Sequence, residues 1–406
     1  MQANLRHYRH LVVAVAAMFW LPTSVLFFID RFGVGDTFRL QGIYYLSVVL
    51  AEVPSGWFSD RIGRVRTLQF AALWWIGSFA AFIATGPFLM AALGQVLLAL
   101  GFAFLSGTEV TFHYDSLEAL GRTDDFEAEE ATARRGGMVM RAIAVLSGGA
   151  LGVINLKLPF VATLAGVLGF GFISLRLQEP PRADDTDLAP VSFRKDLGAV
   201  VRLFRIRILG WLLVAIVSQV VLEHLASEFA GPYSALVLGE ELTDVQWAPL
   251  TTGILAAVVS LIGAIAVRWT PTLRKRFGVV TSLTLLAITP AITVLMMKLY
   301  TSWAVFALLA LRNVQVVIAG VLVAGLVGRT VIATQRATFL SMTSLGGRLV
   351  YGSVLLSLSG IDEIKEALGW ATGIAFVALG AIWLAGLGVS EEKSAFGSGA
   401  PVDSHG

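Results

Sequence analysis

Long apolar runs, separated by short polar connections, repeat along the whole chain. Twelve apolar windows lie at residues 10–30, 40–59, 68–86, 88–113, 138–156 and 158–177, and then at 208–231, 245–267, 278–298, 301–328, 337–360 and 367–388. A helix needs about 20 apolar residues to cross a bilayer. The pattern therefore predicts an all-α polytopic membrane protein with twelve transmembrane helices in two sets of six.

The most polar internal stretch lies between the two sets and divides the chain. We expect an N-terminal six-helix bundle at 1–177 and a C-terminal six-helix bundle at 208–390. The connection at 178–207 is expected in the cytoplasm, with an amphipathic helix on the membrane surface in its second half. The tail at 391–406 is rich in glycine and serine, which predicts disorder.

Composition supports a membrane protein and excludes several classes of site. Hydrophobic residues make up 56% of the chain and charged residues only 14%, whereas a soluble domain carries about a quarter charged residues. The chain has no cysteine, which excludes disulfides, thiolate metal sites and cysteine nucleophiles. The net charge is +2 and no basic block with interleaved aromatics occurs, so a nucleic-acid partner is not expected.

The distribution of basic residues predicts the orientation. If both termini are cytoplasmic, 22 of the 30 lysines and arginines lie in inside segments and 5 in outside loops. Cytoplasmic loops carry the excess of basic residues in membrane proteins. We therefore expect a multi-pass protein of the cell (inner) membrane with both termini in the cytoplasm.

The connection between the second and third windows carries the most specific motif, Gly56-Trp-Phe-Ser-Asp-Arg-Ile-Gly-Arg-Val-Arg66. Its spacing, G-x-x-x-D-R-x-G-R-x-R, resembles the loop between the second and third helices of the major facilitator superfamily. Arg61-Ile-Gly63 has a partial counterpart in Arg276-Phe-Gly278. The resemblance covers essentially the whole chain and implies two six-helix halves related by an axis along the membrane normal.

The resemblance also implies roles for the loop residues. In the family, the glycines allow a tight turn close to a neighbouring helix, and the acid and arginines form ion pairs that close the cytoplasmic side. We expect these pairs when the protein faces outward and their loosening when it faces inward. The gating residues are Gly56, Asp60, Arg61, Gly63, Arg64 and Asp115, with Glu118 as a second choice for the acid that pairs with Arg64.

Three local sequences bear on the branch of the family. Glu52-Val-Pro-Ser-Gly56 resembles a prokaryotic branch of drug or metabolite exporters. In contrast, Leu97 stands where many proton-coupled members carry an arginine. Ser147-Gly-Gly-Ala-Leu-Gly152 keeps the small residues of an antiporter motif without its proline, and close helix packing explains small residues equally well.

Four windows carry polar side chains at helical spacing, where each charge costs about 2.5–3.5 kcal/mol near the bilayer centre. Such stripes must face another helix or a watery cavity. They comprise Gln41, Tyr45, Glu52, Ser55 and Ser59 on the second window, Ser106, Glu109, His113 and Ser116 on the fourth, Gln219, Glu223, Ser227 and Gly231 on the seventh, and Ser341, Ser344, Arg348 and Gly352 on the eleventh.

Family analogy sorts these charges, because helices 1, 4, 7 and 10 of facilitators line the central cavity and helices 2, 5, 8 and 11 form the seam between halves. The proton-coupling candidates are Glu223, Glu109 and Glu52, the substrate-cavity candidates are Arg312, Asn313, Gln315, Gln219 and His113, and the seam ion-pair candidates are Arg141 and Arg348. A Glu52–Arg348 pair is the structural alternative for Glu52, and a pairing of Glu223 with Arg312 is left open.

The remaining charged or polar positions are expected to be less informative. His224 is interpreted as a packing residue, and Glu228 is expected near the outer end of its helix, where water reaches it. Glu109 and His113, at i and i+4, have the spacing of a metal-binding pair. No metal is expected, because two ligands on one helix do not complete a site.

The resemblance implies a proton-coupled secondary active transporter that moves a small organic molecule by alternating access, with export by antiport favoured. Its partners would be the substrate, protons and the lipid bilayer, the proton gradient would replace any cofactor, and the protein is expected to act as a monomer. The alternatives are a symporter that imports an anionic metabolite or siderophore, with Arg312 as counter-ion, and a lipid flippase. No nucleophile–base pair or phosphate-binding loop occurs outside the membrane, so an enzyme is not expected.

Overall fold

The chain is all-helical in the part that the structure, a computed structural model, describes: residues 1–84, 86–181 and 201–389. In chain order the helices are α1 (Gln2–Ala16), α2 (Ser24–Ile62), α3 (Arg64–Ile83), α4 (Phe88–Leu105), α5 (Thr108–Glu118), α6 (Phe126–Ile154), α7 (Leu158–Ser174), α8 (Arg207–Glu228), α9 (Ala230–Leu238), α10 (Ala248–Ala266), α11 (Thr270–Leu299), α12 (Val305–Thr330), α13 (Ala333–Leu358) and α14 (Ile364–Gly386). Most of the predicted amphipathic helix lies outside the described residues. The predicted disordered tail lies wholly outside them.

Helix occupies each of the twelve predicted windows, although helix ends and window ends differ. The first window is broken at residues 17–23, and the fourth at residues 106–107. Conversely, α2 continues through a kink at Gly33 and carries both the end of the first window and the whole second one. When the helices on either side of such a break are counted as one segment, seven segments of the described chain are long and apolar enough to cross a membrane.

Two glycines at equivalent places in the halves adopt backbone angles that disfavour other residues. Gly63 precedes α3 with φ 116°, and Gly278 kinks α11 where the ninth window begins, with φ 72°. Positive φ is the region that glycine enters without steric cost. The partial repeat of Arg61-Ile-Gly63 in Arg276-Phe-Gly278 thus marks the same backbone turn in both halves.

Two large hydrophobic cores form, one in each half of the chain. The core of α1–α7 (the N-terminal bundle) draws only on residues up to Leu177 and is rich in aromatic rings; Phe160 packs edge-on or tilted against Phe28, Phe79 and Phe82. The core of α8–α14 (the C-terminal bundle) also takes in three residues of α2: Ile29, Val34 and Phe38. The predicted boundaries at 177 and 208 stay a prediction, and these cores are consistent with them.

Two helix pairs make most of the contacts between the bundles in the described chain: α2 packs on α13, and α6 packs on α10. The small residues of the fifth window lie in the second contact, where a Cβ on Gly149 would lie 2.7 Å from the carbonyl oxygen of Pro249. On α2, contacts to the other bundle run from Leu26, against Gly231, to Glu52, against Arg348.

The contacts of α2 with the other bundle that we describe end at Glu52. One turn further along α2, a Cβ on Gly56 would meet no atom of the described residues within 4 Å. We call the end that carries residues 56–66 the motif face, and the other end the far face. The described contacts between the bundles therefore lie toward the far face, and the space beside Gly56 at the motif face is open.

Candidate functional site

The residues predicted to gate transport are assembled at the motif face. The Arg64 guanidinium donates from Nη1 to Asp60 Oδ1 at 2.7 Å and to Ser59 Oγ at 2.9 Å. Its Nε lies 3.6 Å from Asp115 Oδ2, which makes Asp115 rather than Glu118 the acid beside Arg64. The predicted Asp60–Arg64–Asp115 contacts are present in the structure, and their role in gating stays a prediction.

All three residues of this trio belong to the N-terminal bundle, and they are in contact in this structure. That the trio loosens when the motif face opens stays a prediction. The close helix approach expected at Gly56 is not seen among the described residues, because a Cβ there would meet none of their atoms within 4 Å. Arg61 places its guanidinium over the Trp57 ring, 5.1 Å from the ring centre.

Glu179 is a member of the motif face that sequence reasoning missed. Its Oε1 accepts the main-chain N–H of Arg64 at 2.6 Å, and its Oε2 accepts that of Val65 at 2.9 Å. A carboxylate at a helix N-terminus satisfies free N–H groups and the positive end of the helix dipole. A Cβ on Gly63 would lie 2.9 Å from this carboxylate. No local pattern could have indicated a cap that lies 115 residues away.

At the seam, the structure contains one of the expected ion pairs. Arg348 Nη1 of α13 donates to Glu52 Oε2 of α2 at 2.7 Å, so the structural alternative for Glu52 is confirmed. Arg141 differs from the expectation of a seam pair. Among the described residues no carboxylate oxygen lies within 4 Å of its guanidinium, and Nη2 instead contacts the Met18 sulfur at 3.6 Å.

A cavity of about 370 Å³ lies in the C-terminal bundle between α8, α12 and α13. Three predicted residues, Gln219, Glu223 and Gln315, line it together. Gln315 Nε2 donates to the side-chain and main-chain oxygens of Gln219, and Gln219 Nε2 donates to Leu283 O at 2.8 Å. The rest of the wall is mainly aliphatic. The site therefore offers a few fixed polar groups on an apolar surface, the usual composition of a small-molecule site.

Glu223 pairs with its neighbour rather than with Arg312. Glu223 Oε2 lies 2.6 Å from His224 Nδ1, and both residues line the cavity. The His224 ring packs against Tyr45 of the other bundle and against Tyr351. The interpretation of His224 as a packing residue was thus incomplete. Nε and Nη1 of Arg312 are buried without a hydrogen-bond partner, and no ion pair with Glu223 forms within 4 Å.

Two predicted cavity residues instead pack inside the bundles. Asn313 Nδ2 faces α10, where it donates to Val259 O at 3.4 Å and lies against Gly263. His113 is 1% exposed, stacks on Tyr8 with ring centres 4.0 Å apart, and places Nδ1 2.8 Å from Glu130 Oε2. Both predictions are wrong in this structure, because periodicity indicates a polar face without saying which neighbour covers it.

Glu109 lies where two further cavities meet. A cavity of about 340 Å³ at the seam is lined by Tyr45, Glu52, Glu109, His224 and Arg348, among others. A cavity of about 230 Å³ in the N-terminal bundle shares Glu109, and the first cavity shares His224 with the seam. We call these three the central space; it reaches from one bundle to the other.

The prediction that water reaches Glu228 was also wrong. It is only 8% exposed, and its Oε1 accepts a hydrogen bond from Gln41 Nε2 of α2 at 2.9 Å. The contact joins the two bundles on the far-face side of Glu223. The sequence did contain a signal for this contact, because Gln41 begins the polar stripe on α2 and such a stripe has to face another helix or water.

Comparison with known proteins identifies the fold. The sequence matches no protein-family model and no curated protein. The structure is similar to crystal structures of the nucleoside transporter NupG (TM-score 0.73, 14% identity, covering 95% of this chain and 100% of that one) and of an inward-facing, unoccupied bacterial homologue of the lysosomal transporter Spinster (0.68, 16%, 95% and 97%). A D-xylose–proton symporter is a third (0.65, 14%, 94% and 97%).

At these identities the comparisons establish the architecture. The all-helical fold predicted from the sequence is confirmed, and it is the fold of these solved transporter structures. The three solved structures are those of membrane transporters.

Proposed function

We propose that this facilitator-fold protein is a secondary active transporter that moves a small organic molecule across the cell membrane by alternating access, coupled to protons and acting as a monomer. One observation carries the proposal: the central space reaches from one bundle to the other, and the Glu223–His224 pair lines it. The transporters with similar structures support the general activity.

Glu223 is the best placed of the three candidate proton carriers. Glu52 is held by Arg348, and Glu109 by Arg134 at 3.4 Å. Glu223 pairs with an imidazole, the side chain that exchanges protons near neutral pH. A carboxylate–imidazole pair can gain or lose one proton without leaving a permanent cation beside an empty site. Its protonation state can therefore change between the steps of the transport cycle.

Export by antiport is our preferred direction, and its support is the Glu52-Val-Pro-Ser-Gly56 sequence, which resembles exporters. Import of an anionic metabolite is a second candidate. It is favoured by Arg312, whose buried Nε and Nη1 lack hydrogen-bond partners among the described residues and would be stabilised by an anion.

Reconstitution tests the proposal. The purified protein in liposomes, with an imposed pH gradient, should drive net movement of at least one compound among dyes, sugars, peptides and lipids, and collapse of the gradient with a protonophore should stop it. Movement that is identical with and without the gradient contradicts proton coupling. Movement of lipid alone indicates a flippase and contradicts the proposed substrate class.

A further inference from the structure

Arg141 is a charged residue in a membrane span without an acidic partner among the described residues. It lies on α6, in the window 138–156, and its guanidinium contacts the Met18 sulfur in the break between α1 and α2. A thioether sulfur is a weak acceptor, whereas a guanidinium has five N–H donors. A guanidinium in contact with lipid is costly. The Arg141 side chain is exposed and lines a cavity of the central space, where water can reach it.

The cavity of about 230 Å³ beside Arg141 is built from α1, α5 and α6. Leu11, Val12 and Val15 form an apolar wall on α1. Arg134 lies at the other end of the cavity, seven residues earlier on α6 and thus about 10 Å along the helix axis from Arg141.

Arg134 is already neutralised, unlike Arg141. Its Nε donates to Glu130 Oε1 at 2.6 Å, and its Nη2 lies 3.4 Å from Glu109 Oε1. The second carboxylate oxygen of Glu109, Oε2, is buried and has no hydrogen-bond partner in the part of the chain that the structure describes. A buried acceptor without a donor is destabilising, and a ligand that supplies a donor would remove that cost.

We infer that the substrate of the proposed transporter is an elongated organic anion whose anionic group binds Arg141 and whose hydrogen-bond donor binds Glu109, which lies beside Arg134 at the other end of the cavity. The apolar wall on α1 takes the part of the molecule between these ends. This inference rests on the proposed function because it takes the bound anion to be the transported substrate. Binding at this cavity can nevertheless be measured without transport.

The test measures binding to the purified full chain through the rise of melting temperature with ligand concentration, which gives a Kd. Three matched probes are used. The dipolar probe is 8-aminooctanoate, whose charged ends lie about 10 Å apart when extended; octanoate lacks the donor, and the methyl ester of 8-aminooctanoate lacks the anion. Wild type should bind the dipolar probe about tenfold or more tightly than either analogue, the effect expected of one charge-assisted hydrogen bond.

Variants assign the two ends. Arg141→Gln should abolish the preference for 8-aminooctanoate over its ester, and Arg141→Lys should retain part of it. Glu109→Gln should reduce the preference over octanoate. Arg135→Gln is the matched control, because Arg135 is an exposed arginine of the same helix that lies outside the lining of this cavity; it should bind all three probes as wild type does. Melting temperatures without ligand show whether each variant is folded.

Three results would overturn the inference: no binding of any probe to wild type, unchanged preferences in Arg141→Gln, or an equal loss of the anion preference in Arg135→Gln. The proposed function has a separate readout. If the probes bind as expected but no compound moves with the gradient, the binding site is supported and the proposed transport function is contradicted. If other compounds are driven by the gradient and Arg141→Gln has no effect on them, the transport function is supported and the Arg141 site is contradicted.

Discussion

The contact between Gly149 and Gly253 holds the two bundles together toward the far face, and its geometry predicts how one methyl group would shift the conformation. A Cβ on Gly149 would lie 2.7 Å from Pro249 O and 3.1 Å from the Cα atoms of Gly253 and Leu250. These are backbone atoms, which have no rotamer that relieves the clash. Ordinary contact begins at 3.4 Å, so α6 and α10 have to separate by about 0.7 Å in Gly149→Ala.

Overpacking of this kind costs about 1–3 kcal/mol. If only the conformation closed at the far face bears that cost, the population of this conformation relative to the alternative falls about 5- to 140-fold, at about 1.4 kcal/mol per factor of ten. Gly149→Ala should therefore favour the conformation that is open at the far face.

A single introduced cysteine reports the shift, because the chain has none of its own. Ser344 lines the cavity in the C-terminal bundle. In Ser344→Cys, a charged thiol reagent added at the motif face should label more slowly once Gly149→Ala is present. Gly169→Ala is the control, since a Cβ there meets no atom within 4 Å. Equal labelling rates in the two double variants would refute the reasoning.

Three further predictions test the motif face and the orientation. Asp60→Asn should slow transport strongly while the melting temperature stays close to that of wild type, because the exposed pair with Arg64 contributes only about 0–1 kcal/mol; a wild-type initial rate would contradict the gating role. Glu179→Ala should lower the free energy of unfolding by about 0.5–2 kcal/mol through loss of the α3 cap, measured by denaturant titration beside Glu118→Ala, and equal values would contradict the cap. Cysteines introduced at Glu127 and Lys157 should react with impermeant reagent from the cytoplasmic and the outer side respectively; labelling of both from outside would contradict the predicted orientation.

The fold was predictable from the sequence because the features that determine it are local. Twenty apolar residues specify a span, and a stripe such as Gln41, Tyr45 and Glu52 specifies which face of α2 is covered. In the structure all three residues of that stripe contact the C-terminal bundle. Gly63 was predictable for the same reason, since the turn before α3 depends on its own backbone angle.

The site was less predictable, because its contacts depend on how helices rotate and break. Asn313 shares a helix with Gln315, yet it faces α10 while Gln315 faces the cavity. Glu228 looked accessible by its distance from the helix end, but α9 continues the span beyond it. Arg141 looked like a seam residue, and only the break at residues 17–23 places Met18 rather than an acid beside it.

Proton coupling through Glu223 is the central claim, and one measurement in proteoliposomes tests it most directly: transport by Glu223→Gln, once driven by a pH gradient and once by a substrate gradient alone. The amide keeps the size of the side chain and its place in the cavity, but it does not exchange a proton. We predict that the variant loses accumulation driven by the pH gradient while exchange down a substrate gradient persists. Accumulation at the wild-type level in Glu223→Gln would contradict the claim.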